Sequence, residues 1–414
     1  MHRWSSFWPA SVAFGDPNFR LFLSARFLII CATEMQAVAV AWQVYGLTHR
    51  PLDLGLVGLA QFLPGLFLFL AAGHAADRFR RERIVIACAG AWSVSALLLA
   101  GLTWFGLHSV YPIYMVLLLN GVIRAFNGPA GQALLPQVVP AEHFQNAIAW
   151  HASVFQTATI LGPMVGGLLY AVAGSPVPVY CVAAIGYVAG LLLTWAIRLQ
   201  RAERRPLGAS VEILLEGIRY IWRSKLVLGV ISLDLFAVLL GGAVALLPVY
   251  ARDILKVGAS GLGLLRSAPG LGAVIMAIVV AHWPLRRQAG ARMLACIFGF
   301  GVFTVVFGIS RNLVVSLFAL VLLGALDMVS VIVRQTMVQL ATPDEMRGRV
   351  SAVNSVFIGA SNEVGQFESG ITAQWFGTVP AVVLGGIGTM LIVLIWMRLF
   401  PSLRRIHDLS APPS

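Results

Sequence analysis

The feature that most constrains this chain is a succession of apolar runs, each about one bilayer crossing long, separated by short blocks rich in arginine. A transmembrane helix needs about 20 mostly apolar residues. With breaks placed at Pro, Gly and charge, twelve runs are read: 20–46, 53–76, 84–106, 110–131, 144–171, 177–198, 226–250, 260–283, 292–310, 313–339, 349–373 and 378–399. Of the 414 residues 59% are hydrophobic and 11% charged, against about 25% charged in soluble domains. No soluble core buries so much apolar side chain, so the bilayer is the solvent for most of the chain. The expected fold class is all-α integral membrane, with twelve transmembrane helices in two pseudo-symmetric six-helix bundles.

The net charge of +12 is not a nucleic-acid footprint, because the bases sit between apolar runs with no basic-aromatic platform. Of 29 basic residues, Arg50, Arg252, Lys256 and Arg311 fall in one set of alternate loops, Arg26, Arg124, Arg266 and Arg334 lie well inside runs, and the other 21 lie on the opposite side, in loops or at the run ends that face it. Lys and Arg are retained on the cytoplasmic side. Both termini are therefore expected in the cytoplasm, with the chain crossing a bacterial-type inner membrane many times. Cys31, Cys88, Cys181 and Cys296 all lie inside apolar runs without metal-ligand spacing, so free thiols are expected and no metal site. No cleavable signal peptide is read, since the first long apolar run begins near Leu21 with no small-residue cleavage site before it. Trp4, Phe7 and Trp8 suit the membrane interface.

The halves repeat. Shifting the first by 205 residues brings Arg20 onto Lys225, Tyr45 onto Tyr250, Gly58 onto Gly263 and Pro64-Gly65-Leu66 onto Pro269-Gly270-Leu271; a shift of 203 brings Pro140 onto Pro343, Glu142 onto Glu345, Gly162 onto Gly365 and Gly167 onto Gly370. The expected organisation is a bundle over 1–198, a cytoplasmic linker over 199–225, a second bundle over 226–400 and a cytoplasmic tail over 401–414. Within the linker, Ile213, Leu214, Ile218, Ile221 and Trp222 stand at helical spacing opposite Glu212, Glu216, Arg219 and Arg223. That pattern predicts an amphipathic helix on the cytoplasmic face, serving as a tether.

Between the second and third runs lies Gly73-His74-Ala75-Ala76-Asp77-Arg78-Phe79-Arg80-Arg81-Glu82-Arg83. Gly73 permits close helix approach, Asp77 is an acid at a helix end, and Arg78, Arg81 and Arg83 can pair with it or with lipid phosphate. The Gly-x-x-x-Asp-Arg opening and the two parallel six-helix repeats resemble the major facilitator superfamily of transporters, in which substrate is held between the halves. The resemblance implies a cytoplasmic gate at Gly73, Asp77, Arg78 and Arg81; a plain topology anchor is the alternative. The chain departs from that pattern at Arg80, where Gly is usual, and at Glu82, where a base is usual. The second copy, His282-Trp283-Pro284-Leu285-Arg286-Arg287, keeps the bases and lacks the acid, so the expected counterpart of Asp77 is the start of the eleventh run, near Arg347 and Arg349.

Three further stretches resemble the superfamily. Arg124-Ala125-Phe126-Asn127-Gly128 is similar to its fourth-helix motif, whose Arg is implied in proton coupling; an Arg bonded to backbone carbonyls is the structural alternative. Gly162-Pro163-Met164-Val165-Gly166-Gly167 resembles the fifth-helix motif that accompanies exporters and antiporters, its small residues allowing close helix approach. Thr342-Pro343-Asp344-Glu345-Met346-Arg347-Gly348-Arg349-Val350, Ser361-Asn362-Glu363-Val364-Gly365 and Asp16-Pro17-Asn18-Phe19-Arg20 resemble the branch containing enterobactin-type siderophore exporters.

Charges inside the runs are expensive in lipid and mark function. At 1.5 Å per residue, Glu34, Arg124, Asp327 and Glu363 fall about 20 Å into their runs, near the midplane, and Arg26, Asp234 and Arg334 lie toward the cytoplasmic third. We expect Glu34, Arg124 and Asp327, with Glu363 nearby, to form a proton and substrate site, and Arg26, Asp234 and Arg334 to form ion pairs on the cytoplasmic side. Desolvation and a neighbouring guanidinium act on such a carboxylate in opposite senses, so its proton can be exchanged for substrate. Several of these charges suit static bridges equally well. Glu368 and Arg266 sit toward the other side as gate candidates. Trp42, Phe62, Phe126, Trp150, Phe155, Phe236, Phe357 and Phe367 suit either helix packing or a cavity lining.

No P-loop, no His-Glu-x-x-His pattern and no soluble catalytic domain is present, so the chain is expected to be neither an ATP-driven pump nor an enzyme. The expectation is a cofactor-free secondary transporter powered by a proton gradient, exporting a siderophore-like molecule or an amphipathic drug by alternating access and antiport. Its expected partners are that small molecule and membrane lipid, with no nucleic acid, and it is expected to act as a monomer. General multidrug efflux and nutrient uptake stay open, with a membrane-embedded enzyme as a remote alternative.

Overall fold

In a bilayer the backbone N–H and C=O groups of an apolar run must be satisfied within the run, which selects helices. The computed structural model describes residues 13–198, 211–283 and 288–404, and among these there are helices and turns but no strand. The long helices are α1 (Pro17–Thr48), α2 (Pro51–Arg78), α3 (Arg81–Trp104), α4 (Tyr111–Leu134), α5 (Phe144–Ala173) and α6 (Val177–Trp195). They are followed by α7 (Val211–Arg223), α8 (Lys225–Leu240), a single turn α9 (Leu247–Val249) and then α10 (Gly258–His282), α11 (Ala289–Ile309), α12 (Leu313–Ala341), α13 (Asp344–Phe376) and α14 (Thr378–Leu399). Eleven segments among the described residues are long and apolar enough to cross a membrane. The twelfth is α13, which is long enough but carries Glu363 and Glu368 in its middle and four charged residues in its first turns.

The seventh run departs from the expected single helix over 226–250. Helix α8 stops at Leu240, and the chain continues through a 3-10 turn (Ala243–Leu246), α9 and a π-helical turn (Tyr250–Ile254). The break falls where two glycines meet their neighbours closely. A Cβ on Gly241 would stand 2.6 Å from the Phe300 ring, and one on Gly242 would stand 2.6 Å from Oγ of Ser369. Pro248, without an N–H, then cannot restore the regular ladder.

The chain divides into two compact units, one of Met1–Val40 with Leu63–Gly208 and one of Ala41–Phe62 with Ala209–Ser414. In the first, Ile29, Ala32, Ala89, Trp92, Ile123 and Tyr187 form a core shared by α1, α3, α4 and α6. In the second, Val230, Leu233, Met293, Val333, Met337 and Trp396 knit α8, α11, α12 and α14 together.

One packing device occurs in both units. A Cβ on Gly162 of α5 would stand 2.6 Å from Cβ of Glu34 on α1, and one on its repeat partner Gly365 of α13 would stand 3.0 Å from the Leu239 carbonyl on α8. Each unit thus uses a glycine at the same repeat position to bring its fifth crossing against the backbone of its first.

Helix α7 belongs to the second unit. Its Ile221 is buried in the core beside Val227 and Val353, with Ile218 and Tyr220 packed against them. Tyr220 donates to the Ala341 carbonyl at 2.7 Å, and Glu216 pairs with Arg349 at 2.7 Å. The linker helix is therefore docked by one face on α8 and α13, while Leu215 and Trp222 stay exposed on the other. The side chains of Glu212, Ile213 and Leu214 lie outside the described residues, as do residues 284–287 and the aromatic residues Trp4, Phe7 and Trp8.

Candidate transport site

The glycines of the fifth-helix motif act on α1. Gly162, Pro163, Gly166 and Gly167 are all buried, and a Cβ on Gly166 would stand 2.8 Å from Cα of Met35. Together Gly162 and Gly166 let α5 touch the α1 backbone on either side of Glu34, so the motif sets the position of that carboxylate. On the α6 side, Tyr187 donates to Thr33 at 3.2 Å and lies 3.4 Å from Oε1 of Gln36. Its ring stacks on Trp92 at 5.8 Å. Gln36 and Tyr187 carry no charge and so do not stand out in the sequence; the signal it offers is a Gln two residues from Glu34 within an apolar run.

In α4, Arg124 is exposed while Asn127, one turn on, is buried with no hydrogen-bond partner for Oδ1. A Cβ on Gly131, another turn on, would stand 3.2 Å from Nη1 of Arg26 on α1, and Nε of Arg26 is likewise without a partner. His151 of α5 stacks on Phe22 at 5.9 Å and lies within electrostatic reach of Arg26. Arg26 therefore sits in the first unit beside Gly131 and His151.

The other two members of the expected cytoplasmic ion-pair set meet in the second unit. Arg334 of α12 pairs with Asp234 of α8, and their side chains are only 5% and 11% exposed. Two turns earlier on α12, Asp327 lines a cavity of about 10 Å³ together with Asp234, Ser330, Ala237, Val238, Ile297 and Phe300. The four midplane candidates divide between the units, Glu34 and Arg124 in the first and Asp327 and Glu363 in the second. Glu363 is buried, accepts from Nε2 of Gln366 at 3.2 Å, and lies 3.1 Å from where a Cβ on Gly58 of α2 would be. It belongs to a close seam in which Gly370 of α13 meets Gly55 of α2, away from the Asp327 cavity lining. Glu368 accepts from Thr372 at 2.7 Å, and Arg266 is half-buried on α10.

At the α2–α3 connection, Gly73 lies within α2 and the side chain of Asp77 lies outside the described residues. Arg81 donates to the Ala133 carbonyl at the end of α4, at 3.1 Å. Arg80 pairs with Glu82, so the two departures from the superfamily pattern are partners of each other. Arg78, Arg80 and Arg83 line an open depression of about 360 Å³ with Phe79, Ile84 and Ala87. The expected counterparts of Asp77 have partners within the second unit. Arg347 pairs with Asp344 at 2.5 Å and donates to the Gln339 and Thr342 carbonyls, and Arg349 pairs with Glu216. At the far end of α1, Tyr45 donates to Asp253, and Arg252 stands 5.6 Å over the Trp42 ring; neither contact was foreseen from the sequence, because the π-helical turn that presents Arg252 and Asp253 was read as helix and loop.

The chain is similar to known transporters in sequence and in fold. The chain is 27% identical over 400 residues to the enterobactin exporter EntS of Shigella boydii serotype 4, covering 96% of this chain and 94% of the relative. It is 26% identical over the same length to the enterobactin exporter EntS of Escherichia coli O81. In fold it is similar to the crystal structure of the nucleoside transporter NupG, with a TM-score of 0.73 at 12% identity over 92% of this chain and 99% of that one. It is also similar to a bacterial homologue of the human lysosomal transporter Spinster, with a TM-score of 0.72 at 14% identity over 94% and 98%. The profile of the family described as transmembrane secretion effector matches residues 10–412. The chain is therefore a multi-pass membrane transporter and belongs to the transmembrane secretion effector family of the major facilitator superfamily.

Proposed function

We propose that this transporter exports a small organic molecule of the siderophore class from the cytoplasm, by alternating access and in exchange for protons. The observation that carries the reading is similarity to an enterobactin exporter along almost the full length of both chains. The α5 glycines seated against α1 at Cys31, Glu34 and Met35 support it, because they build the motif that resembles exporters into the wall that holds a half-buried carboxylate inside an apolar helix.

In this reading Glu34 and Arg124 serve the substrate from the first unit, Asp327 carries the exchanged proton in the second, and Glu363 holds α13 against α2. The proton gradient supplies the energy and no cofactor takes part. Both termini lie in the cytoplasm, where the basic loops are retained, and the basic depression at Arg78, Arg80 and Arg83 faces inner-leaflet lipid phosphate. Asp77 acts as a cytoplasmic gate residue together with Gly73, Arg78 and Arg81. One chain forms the whole transport path, so a monomer suffices.

The test is expression in a bacterial host deleted for its own enterobactin exporter. Enterobactin in the medium is measured at low iron with and without a protonophore, alongside tolerance to several amphipathic drugs. Restored secretion that collapses with the protonophore is the expected result. Unchanged enterobactin secretion with raised drug tolerance would replace this reading with multidrug efflux.

A further inference from the structure

Three ionisable side chains meet inside the second unit, in helices long and apolar enough to cross the membrane. Asp234 on α8 and Arg334 on α12 are paired and almost wholly buried. Asp327 on α12 shares with Asp234 and Ser330 the wall of a cavity of about 10 Å³, the rest of which is Ala237, Val238, Ile297 and Phe300. Space of that size admits about one water, and Ser330 adds a hydroxyl that both donates and accepts.

The charge count is informative. With both carboxylates ionised, the cluster holds two negative charges and one guanidinium, which is paired with Asp234, so it carries a net charge of −1 in surroundings where an uncompensated charge costs several kcal/mol. The helices packed on α12 do not supply the missing cation at this wall. On α8 the other charged residue is Lys225 at its start, on α10 they are Arg266 and His282 toward its two ends, and on α11 the titratable residues are Arg292 and Cys296. None of these lines the cavity. A single proton brings the group to zero.

We propose that Asp234, Asp327 and Arg334 form the proton-binding site of this transporter, holding one exchangeable proton on the two-carboxylate side of the cavity with Arg334 as fixed counter-charge. The proposal rests on the proton-coupled reading above and adds Asp234 and Arg334 to Asp327 as one site contained within the second unit. The balance is simple. Uptake converts one carboxylate to a carboxylic acid and takes the group from −1 to zero, and release returns the same proton and charge. The small cavity lets the proton pass between Asp327 and Asp234 through one water, and with the proton on Asp327 the Asp234–Arg334 ion pair joins α8 to α12.

The experiment is infrared titration of the purified full-length protein in lipid nanodiscs, following the carbonyl stretch of protonated buried acids as pH is raised. Wild type is expected to show one such band that disappears at alkaline pH, and Glu34→Gln to keep it. Asp327→Asn is expected to lose the band, and Asp327→Glu to retain a shifted one, which separates a specific role from misfolding. The decisive variant is Asp234→Asn. It leaves Asp327 in place but balances the charges without a proton, so the band is expected to vanish although the titrating residue is still present. Asp234→Asn with Arg334→Gln restores the net −1 and is expected to bring the band back. A band that survives both Asp327→Asn and Asp234→Asn, and is lost in Glu34→Gln, overturns the proposal. Secretion insensitive to a protonophore alongside a normal titration would instead overturn the proton-coupled reading, so the two failures are distinguishable.

Discussion

A Cβ added to Gly162 would stand 2.6 Å from Cβ of Glu34 and 3.1 Å from the Cys31 carbonyl. The neighbouring atoms belong to the backbone and the root of a side chain, so they cannot swing aside. Gly162→Ala is expected to push α5 off α1, costing about 1–3 kcal/mol as overpacking and moving the Glu34 carboxylate. Thermal unfolding in detergent and secretion in cells check this. Gly128→Ala, in the α4 motif but with open space around its Cβ, is expected to leave both measurements near wild type.

Helices α10 and α12 cross still more tightly. A Cβ on Gly272 would overlap the Val321 carbonyl and one on Gly324 the Pro269 carbonyl, at 1.8 and 2.0 Å. Alanine at either position is expected to part the two helices three residues from Asp327, with the yield of monodisperse protein falling sharply for Gly324→Ala and for Gly272→Ala. A variant at Gly299, whose Cβ would meet only the end of the Leu326 side chain, is expected to express normally.

The docking of α7 separates packing from charge. The Glu216–Arg349 pair is exposed by 47% and 39%, so Glu216→Gln is expected to change stability by less than about 1 kcal/mol. Gly217 is different, since a Cβ there would stand 2.9 Å from both the Arg349 carbonyl and Cγ2 of Val353. Gly217→Val is expected to lift α7 from α13, read as faster amide exchange along residues 215–223 with the membrane helices unchanged.

The repeat-related tyrosines Tyr45 and Tyr250 have different partners. Tyr45 donates to the Asp253 carboxylate, and Tyr250 to the Gly308 carbonyl at 2.7 Å. Bonds to charged groups contribute about 1.5–3 kcal/mol and neutral ones about 0.5–1.5. Tyr45→Phe is therefore expected to lower the unfolding temperature more than Tyr250→Phe. Asp253→Asn is expected to reproduce part of the Tyr45→Phe loss, and equal effects of the two Phe variants would count against a charge-assisted bond at Tyr45.

The chain by itself determined the solvent, the twelve crossings, their approximate ends and the duplicated halves. Those properties are local or periodic: a bilayer requires some 20 apolar residues at a stretch, and arginine blocks mark many of the places where a stretch stops. It also singled out the charges within the apolar runs, because an ionisable residue there is conspicuous whatever surrounds it. What only the tertiary structure decided was which neighbour each charge meets. Asp234 and Arg334 are 100 residues apart in sequence yet form one buried pair across one small cavity from Asp327. Arg26, grouped with them by depth along its helix, lies instead with Gly131 and His151, and Glu363 turns to the α2 seam. Depth can be counted along a helix at 1.5 Å per residue, but the face a side chain presents to a distant helix depends on how glycines such as Gly162, Gly324 and Gly365 let backbones approach. The interruption of α8 at Gly241 and Gly242 has the same origin, since two glycines in an apolar run are equally compatible with a continuous helix until Phe300 and Ser369 occupy the space beside them.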